Sequence, residues 1–243
     1  MFFVVERREY KMYFYWDSTY WLVIIGSLIC LLASARVNST MNKYAQVNNS
    51  TGINGAEAAR RILNNEGLYN VQIECLQGAR GDHYDPSTNT VRLSASNYYD
   101  SSVTAVGVAA HECGHAIQHA KGYGPLKLRT SLVPVVNIGS SLGMPIILIG
   151  VLLSWNQTLI QIGIWAFSLA VLFQLITLPV EFNASSRAIK KIEQYGLMTV
   201  EENQGTKKVL SAAAFTYVAA AASSILQLLR LILLFGGNRR RRD

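Results

Sequence analysis

The chain has 243 residues, of which 50% are hydrophobic and only 15% charged, with mean hydropathy +0.20 and formal net charge +7. This balance excludes a disordered chain and an ordinary soluble enzyme, and fits an integral membrane protein that carries a soluble part. The basic excess suits a lipid bilayer with anionic headgroups; no nucleic acid is expected, because the Arg239 to Arg242 cluster directly follows an apolar run and no base-stacking motif occurs.

Residues 1–17 form a charged N-terminal flank. Ser18 to Ala35 carries no charge between Asp17 and Arg36, has Tyr20 and Trp21 at the interfacial position, and predicts a first span over 18–35. The charged leader and the lack of a small-x-small cleavage site before Arg36 favour a retained anchor over a signal peptide. Residues 36–129 make up the soluble part. Gly55 to Asn65 repeats alanine and arginine at helical spacing, and Val71 to Leu76 and Thr90 to Leu93 alternate like short strands around the turn Asp85 to Asn89. The expected order is helix, small hairpin, helix. A strand edge beside that second helix can hold an extended peptide by main-chain hydrogen bonds. Cys30, Cys75 and Cys113 do not form a disulfide framework.

The second helix is predicted over 103–120. Val106, Ala110, Cys113 and Ile117 recur at helical spacing, Asp100, Ser101 and Ser102 are N-cap candidates, and Gly122, Gly124 and Pro125 end the run. Within it stands His111-Glu112-Cys113-Gly114-His115, the H-E-x-x-H pattern of zinc-dependent peptidases. Residues four apart on a helix share a face, so His111 and His115 can offer two imidazoles to one ion while Glu112 reaches its water. Without a metal, the same residues would be two hydrogen-bonded histidines of a buried helix; the intervening glutamate favours the metal.

From Thr130 to Val180 no charged residue occurs, enough to cross a bilayer twice at about 20 residues per span. Spans are predicted over 133–153 and 159–180, with Ser154 to Gln157 as the polar break, so both ends of this hairpin lie on one side. Pro134, Gly139, Gly143 and Pro145 make the first of the pair kink-prone and suited to close helix packing. Residues 181–209 follow as a helix and loop, 210–235 as a fourth span, and 236–243 as a basic tail. Arg230 is expected to snorkel to the headgroups. The fold class is therefore mainly α: a polytopic helical membrane protein of about four spans with a small α+β zincin-like domain.

A third metal ligand has several candidates. His119 lies about 12 Å along the helix from His111 at 1.5 Å per residue, too far to share an ion held at about 2 Å, and is expected to pack or to support the ligands. Asp82, His83 and Asp85 lie in a turn-like run of unknown direction. Glu181 stands where the apolar stretch ends, and the hairpin returns it to the side on which His115 lies.

Val108 to Gln118, together with Leu178 to Ala188 downstream, resembles the YugP-like neutral zinc metallopeptidases of bacterial membranes over most of the chain. More distantly, Glu181-Phe182-Asn183-Ala184-Ser185 is similar to the E-x-x-A-D element of membrane-embedded proteases of the HtpX type. That resemblance implies that Glu181 is the third zinc ligand. Ser185 replaces the aspartate of the element, so a carboxylate that would orient a zinc histidine is missing.

Zn2+ held by His111, His115 and Glu181 leaves a fourth position for water, with Glu112 as general base in peptide hydrolysis. A second donor is expected from His83, Tyr84, Tyr123, Arg187 or Tyr195. The partners implied are a protein or peptide substrate and the bilayer, with a homo-oligomer left open. The alternative is a membrane adaptor with a structural zinc, although such zinc is usually closed by four protein ligands. A transporter would need ionisable residues inside the hairpin, which has none. For sidedness, the short flanks Arg7, Arg8, Lys11 and Arg239 to Arg242 favour cytoplasmic termini and an outward site, whereas basic residues near the catalytic side and the HtpX-type likeness favour the reverse.

Overall fold

The computed structural model describes residues 17–77 and 81–236. The flank charges Arg7, Arg8, Lys11 and Arg239 to Arg242 lie outside the described residues. The described chain is mainly helical, with four helices long and apolar enough to cross a membrane and one small three-stranded sheet. The four are α1 (Tyr20–Ala45), α5 (Gly124–Leu152), α6 (Gln157–Gln194) and α7 (Val200–Phe235). Between α1 and α5 come α2 (Gly55–Asn65), β1 (Gln72–Leu76), β2 (His83–Asp85), β3 (Thr90–Ser94), α3 (Ala95–Tyr98) and α4 (Val103–Ala120).

Each long helix outruns its apolar stretch. The 38 residues of α6 reach about 57 Å at 1.5 Å per residue, against about 30 Å of hydrocarbon. From Gln157 to Glu181 the rise is about 36 Å, so the span delivers Glu181 to the water boundary on the same continuous helix. The hairpin of α5 and α6 packs through small residues. A Cβ added to Gly143 would stand 3.3 Å from the Gly163 carbonyl oxygen, and one on Gly163 would stand 2.7 Å from the Gly143 carbonyl oxygen, so the two backbones nearly touch. At the turn, Ser154 and Trp155 take positive φ, and the Asn156 side chain caps α6 by accepting from the Thr158 and Leu159 amides. Helices α1 and α7 run antiparallel. Arg230 near the end of α7 lies over the Tyr20 ring and within 3.9 Å of the Asp17 carboxylate, which gives the expected snorkelling cation a defined partner.

The sheet differs from the hairpin expected between the first and last strand segments. Its order is β1-β3-β2: β1 runs parallel to β3, and the antiparallel hairpin is made by β2 and β3, closed by the turn 86–89. Asn89, at φ 53, occupies the left-handed position that asparagine tolerates. The extra strand was hidden because three residues, followed directly by Pro86, are too short to display alternation. Its consequence is large: β2, not β1, is the sheet edge that faces α4.

Helix α4 occupies the predicted range and is the centre of the soluble part. Its N-cap Ser102 accepts from the Ala105 amide, and Val103, Val106, Ala109, Ala110, Cys113, Ala116 and Ile117 are buried against α2, α6 and α7. Burial of this apolar set contributes about 25 cal/mol per Å2 removed from water. Burial also pushes the Cys113 thiol pKa far up, and its Sγ faces the Ala59 carbonyl of α2, so it is a packing residue.

Glu66, the C-cap of α2, ties three elements together by accepting from Lys121 after α4 and from Lys191 and Tyr195 at the end of α6. Burial opposes its charge, yet these donors hold its pKa at about 2, below the ordinary 4.5. A depressed folded pKa gives stability that is present above 4.5 and lost as pH falls through about 2. Glu66→Gln is therefore expected to cost on the order of 1–2 kcal/mol at pH 7, less than the full shift because Lys121 is largely exposed. Thermal unfolding in detergent at pH 7 and pH 3 checks this: the gap between wild type and variant should shrink at pH 3.

Candidate metal centre and active site

The site is assembled by one helix crossing. A Cβ on Gly114 would meet the Ala184 carbonyl oxygen at 2.6 Å, so glycine alone lets α4 and α6 approach this closely. Ala184 lies one turn beyond Glu181, and Gly114 lies between the two histidines. The crossing therefore puts the Glu181 carboxylate opposite both imidazoles: Oε2 is 3.3 Å from His111 Nε2 and 3.5 Å from His115 Nε2. One ligand atom from each of the three residues lies within 4.8 Å of the others.

The spacing and environment fit a zinc ion. Ligands held at about 2.0–2.1 Å in tetrahedral geometry stand about 3.3–3.4 Å apart, which matches the two observed separations. Glu181 Oε2 is also buried with no hydrogen-bond partner, a costly state for a carboxylate oxygen unless a cation satisfies it. Around His115, burial disfavours the charged imidazole, but the carboxylates of Glu181 and Glu112 outweigh it and raise the pKa.

Each of these three side chains is oriented by a second group. His111 Nδ1 lies 3.1 Å from Ser185 Oγ, and His115 Nδ1 lies 3.0 Å from Gln118 Oε1. With both Nδ1–H groups donating, both Nε2 lone pairs would face Glu181, the tautomer a metal requires. Ser185 therefore meets the histidine from the position where the related element has aspartate, as a neutral hydroxyl. Gln118 is fully buried and is itself fixed, because its Nε2 donates to the Val180 carbonyl at 2.8 Å and to Asn183 Oδ1 at 3.0 Å. Arg129, in the first turns of α5, donates to Glu181 Oε1 at 3.2 Å and turns Oε2 toward the histidines.

Glu112 is buried beside this cluster, and its Oε2 accepts from the Tyr84 amide of β2 at 2.9 Å. The sheet edge thus fixes one carboxylate oxygen. His119 packs on the Tyr84 ring, and its Nδ1 is 2.8 Å from the Tyr84 hydroxyl, in line with the supporting place expected for it. Burial, then Asp85, pushes the Tyr84 pKa up to about 12, which keeps its hydroxyl protonated.

The other ligand candidates are not brought to the cluster. Asp82 accepts from the Ser94 amide and from Asn97, Asp85 is held by Arg92, Ser87 and Thr88, and His83 Nδ1 faces the Gly81 carbonyl. Of the five proposed second donors, His83, Tyr84 and Tyr123 line the cavity over the site. Arg187 instead bonds Asn183, and Tyr195 bonds Glu66. Sequence reasoning missed Gln118, Arg129 and Tyr217. A glutamine inside a buried helical face and a lone tyrosine in the alanine-rich run of α7 were the available signals; Arg129 showed only as a charge beside a span.

The cavity over the site measures 920 Å3 and runs from β2 across Glu112 and the ligand cluster to Leu126, Thr130 and Pro134 of α5. It therefore extends from the sheet edge toward the bilayer. Tyr217 of α7 borders it together with Glu112 and Glu181.

The chain is similar to known proteins over most of its length. Residues 19–236 match the family model described as "Putative neutral zinc metallopeptidase". The chain is 49% identical over 197 residues, 81% of its length and 87% of the relative's, to "Putative membrane protease YugP" of Bacillus subtilis (strain 168). No solved structure matches. With its membrane helices and its convergent histidines and glutamate, the chain belongs to the neutral zinc metallopeptidase family of membrane proteins.

Proposed function

We propose that the protein is a membrane-embedded zinc endopeptidase that hydrolyses peptide bonds in membrane or membrane-proximal proteins. The observation that carries this reading is the convergence of His111, His115 and Glu181 beside a buried Glu112 on the wall of a cavity that is also lined by Leu126, Thr130 and Pro134 of the membrane-spanning helix α5. Three protein ligands leave a coordination position open, which favours an enzyme over a structural zinc in an adaptor. Residues 36–129 and 181–209 would form the catalytic unit, carried on the four spans.

Zinc, when bound, would lower the pKa of a water toward about 7 and polarise the substrate carbonyl. Glu112 takes one proton from the attacking water as the new C–O bond forms. It then gives that proton to the amide nitrogen as the C–N bond breaks, leaving a carboxylic acid and an amine. The Tyr84 amide holds Glu112 Oε2, so Oε1 is the oxygen assigned to proton transfer. We assign Tyr217 as the donor to the carbonyl oxygen while its negative charge develops. Arg129 and Ser185 act as positioning residues for Glu181 and His111. An extended substrate would lie along the edge of β2.

The test is cleavage by the full chain in liposomes loaded with stoichiometric zinc. A polypeptide anchored in the same membrane should be cut, a chelator should abolish cutting, and added zinc should restore it. Cleavage indifferent to the chelator, or none at all from zinc-loaded protein against a broad set of membrane and unfolded substrates, would sink the reading.

A further inference from the structure

A second cavity opens from the same site. It shares Asp82, His111, Glu112, Glu181 and Tyr217 with the large one but leads the other way, between α1, α4 and α7, and its volume is 170 Å3. Away from the ligand cluster its wall is Met41, Val108, Leu210, Ala213 and Ala214, with no charged side chain among them. Asp82 and Ser185, which also line it, are already engaged, by Ser94 and Asn97 and by His111. A cavity of about 150 Å3 with apolar walls takes a benzene ring, so this pocket accepts one side chain of middle size and no more.

Its place decides what that side chain belongs to. Glu112 and the ligand cluster stand at the junction of the two cavities, so a scissile bond at Glu112 puts a neighbouring substrate residue at the pocket mouth. We propose that this pocket is the specificity subsite of the peptidase, selecting Leu, Met or Phe at one fixed position beside the scissile bond. Ala213, Ala214 and Met41 line it, so their side-chain size limits what it takes. The inference rests on the peptidase reading above. It adds a substrate class: sequences with a single apolar anchor at the cut, as occur where a membrane segment meets its polar flank.

The test uses the zinc-loaded full chain and peptides identical except at the residues on either side of a mapped cleavage bond. Leu, Met or Phe at one of the two positions should give kcat/KM about 10–100-fold above Ala, Asp or Lys there. Ala214→Phe fills the pocket and should cut kcat/KM for the Leu peptide about tenfold or more while sparing the Ala peptide. Met41→Ala opens the pocket and should raise kcat/KM for a Trp peptide relative to Leu, which keeps the test informative should Ala214→Phe misfold. Cleavage without a positional preference, or a preference unmoved by the variants that fold, would overturn the subsite and leave the peptidase standing. Absence of cleavage of every peptide would overturn both.

Discussion

Glu112→Gln should leave zinc bound and lower peptide hydrolysis by about 10^2–10^4-fold or more. The site keeps two jobs apart. Metal retention is assigned to His111, His115 and Glu181, whose ligand atoms face one another; Glu112 stands beside them and is held by the Tyr84 amide. Glutamine keeps the shape and can still accept that amide hydrogen, so the fold and the metal affinity should survive. What it loses is the proton acceptor, since a carboxamide cannot take a proton from water near neutral pH. Bound zinc measured by elemental analysis and turnover measured on the same preparation decide the matter. Unchanged turnover would remove Glu112 from the mechanism, and lost zinc would show that the carboxylate is part of the metal site.

The central helix was legible because three independent signals coincide over Val103 to Ala120: buried periodicity, a serine cap, and glycines with a proline beyond the end. The four membrane helices were legible from charge-free length alone. Their continuation into water was not, because hydropathy records where the bilayer stops and says nothing about where hydrogen bonding stops. Helix α6 continues from Glu181 to Gln194 because Ala184, Ala188 and Ile192 give it a buried face against the soluble core. The strand β2 escaped for the opposite reason: its three residues carry their meaning in main-chain hydrogen bonds to β3 and Glu112, not in side-chain pattern.

Within the site, the histidines and Glu112 were legible because one helix turn sets their relation. Glu181 was reachable only through the hairpin argument and the family resemblance, since 66 residues separate it from His115. The supporting residues follow the same rule. Ser185 could be placed by its position in the downstream motif, but its hydrogen bond to His111 depends on the angle of the α4 and α6 crossing. Arg129 stood out as a charge beside a span, a role that explains many such arginines, and only the folded chain points it at Glu181. Tyr217 showed only as a lone tyrosine in an alanine-rich run, and it is the fold of α7 over the site that brings it to the border of the cavity.

Glu181→Ala should weaken zinc binding by more than about 100-fold, whereas His119→Ala should leave it nearly unchanged. Glu181 supplies the only carboxylate oxygen in the metal-binding group found among the described residues, and that oxygen is buried without another partner. His119 turns toward Tyr84. A subtler variant tests the crossing that brings Glu181 there. Gly114→Ala alters no ligand and, by helix propensity alone, should favour α4 by about 1 kcal/mol. Its Cβ would nevertheless stand 2.6 Å from the Ala184 carbonyl oxygen, a separation that two packed helices cannot keep. The helices must part by several tenths of an ångström, and the Glu181 carboxylate moves with α6 away from both Nε2 atoms. Zinc affinity is expected to fall about 10–100-fold, comparable to loss of a supporting hydrogen bond in a metal site. Competitive titration with a chromophoric chelator reads all three variants on one scale. Zinc held at full affinity after Glu181→Ala but lost on substitution of His83 or Asp85 would move the third ligand to β2 and defeat the assignment. Full affinity in Gly114→Ala would show that the crossing tolerates a methyl group and that its closeness does not set the metal site.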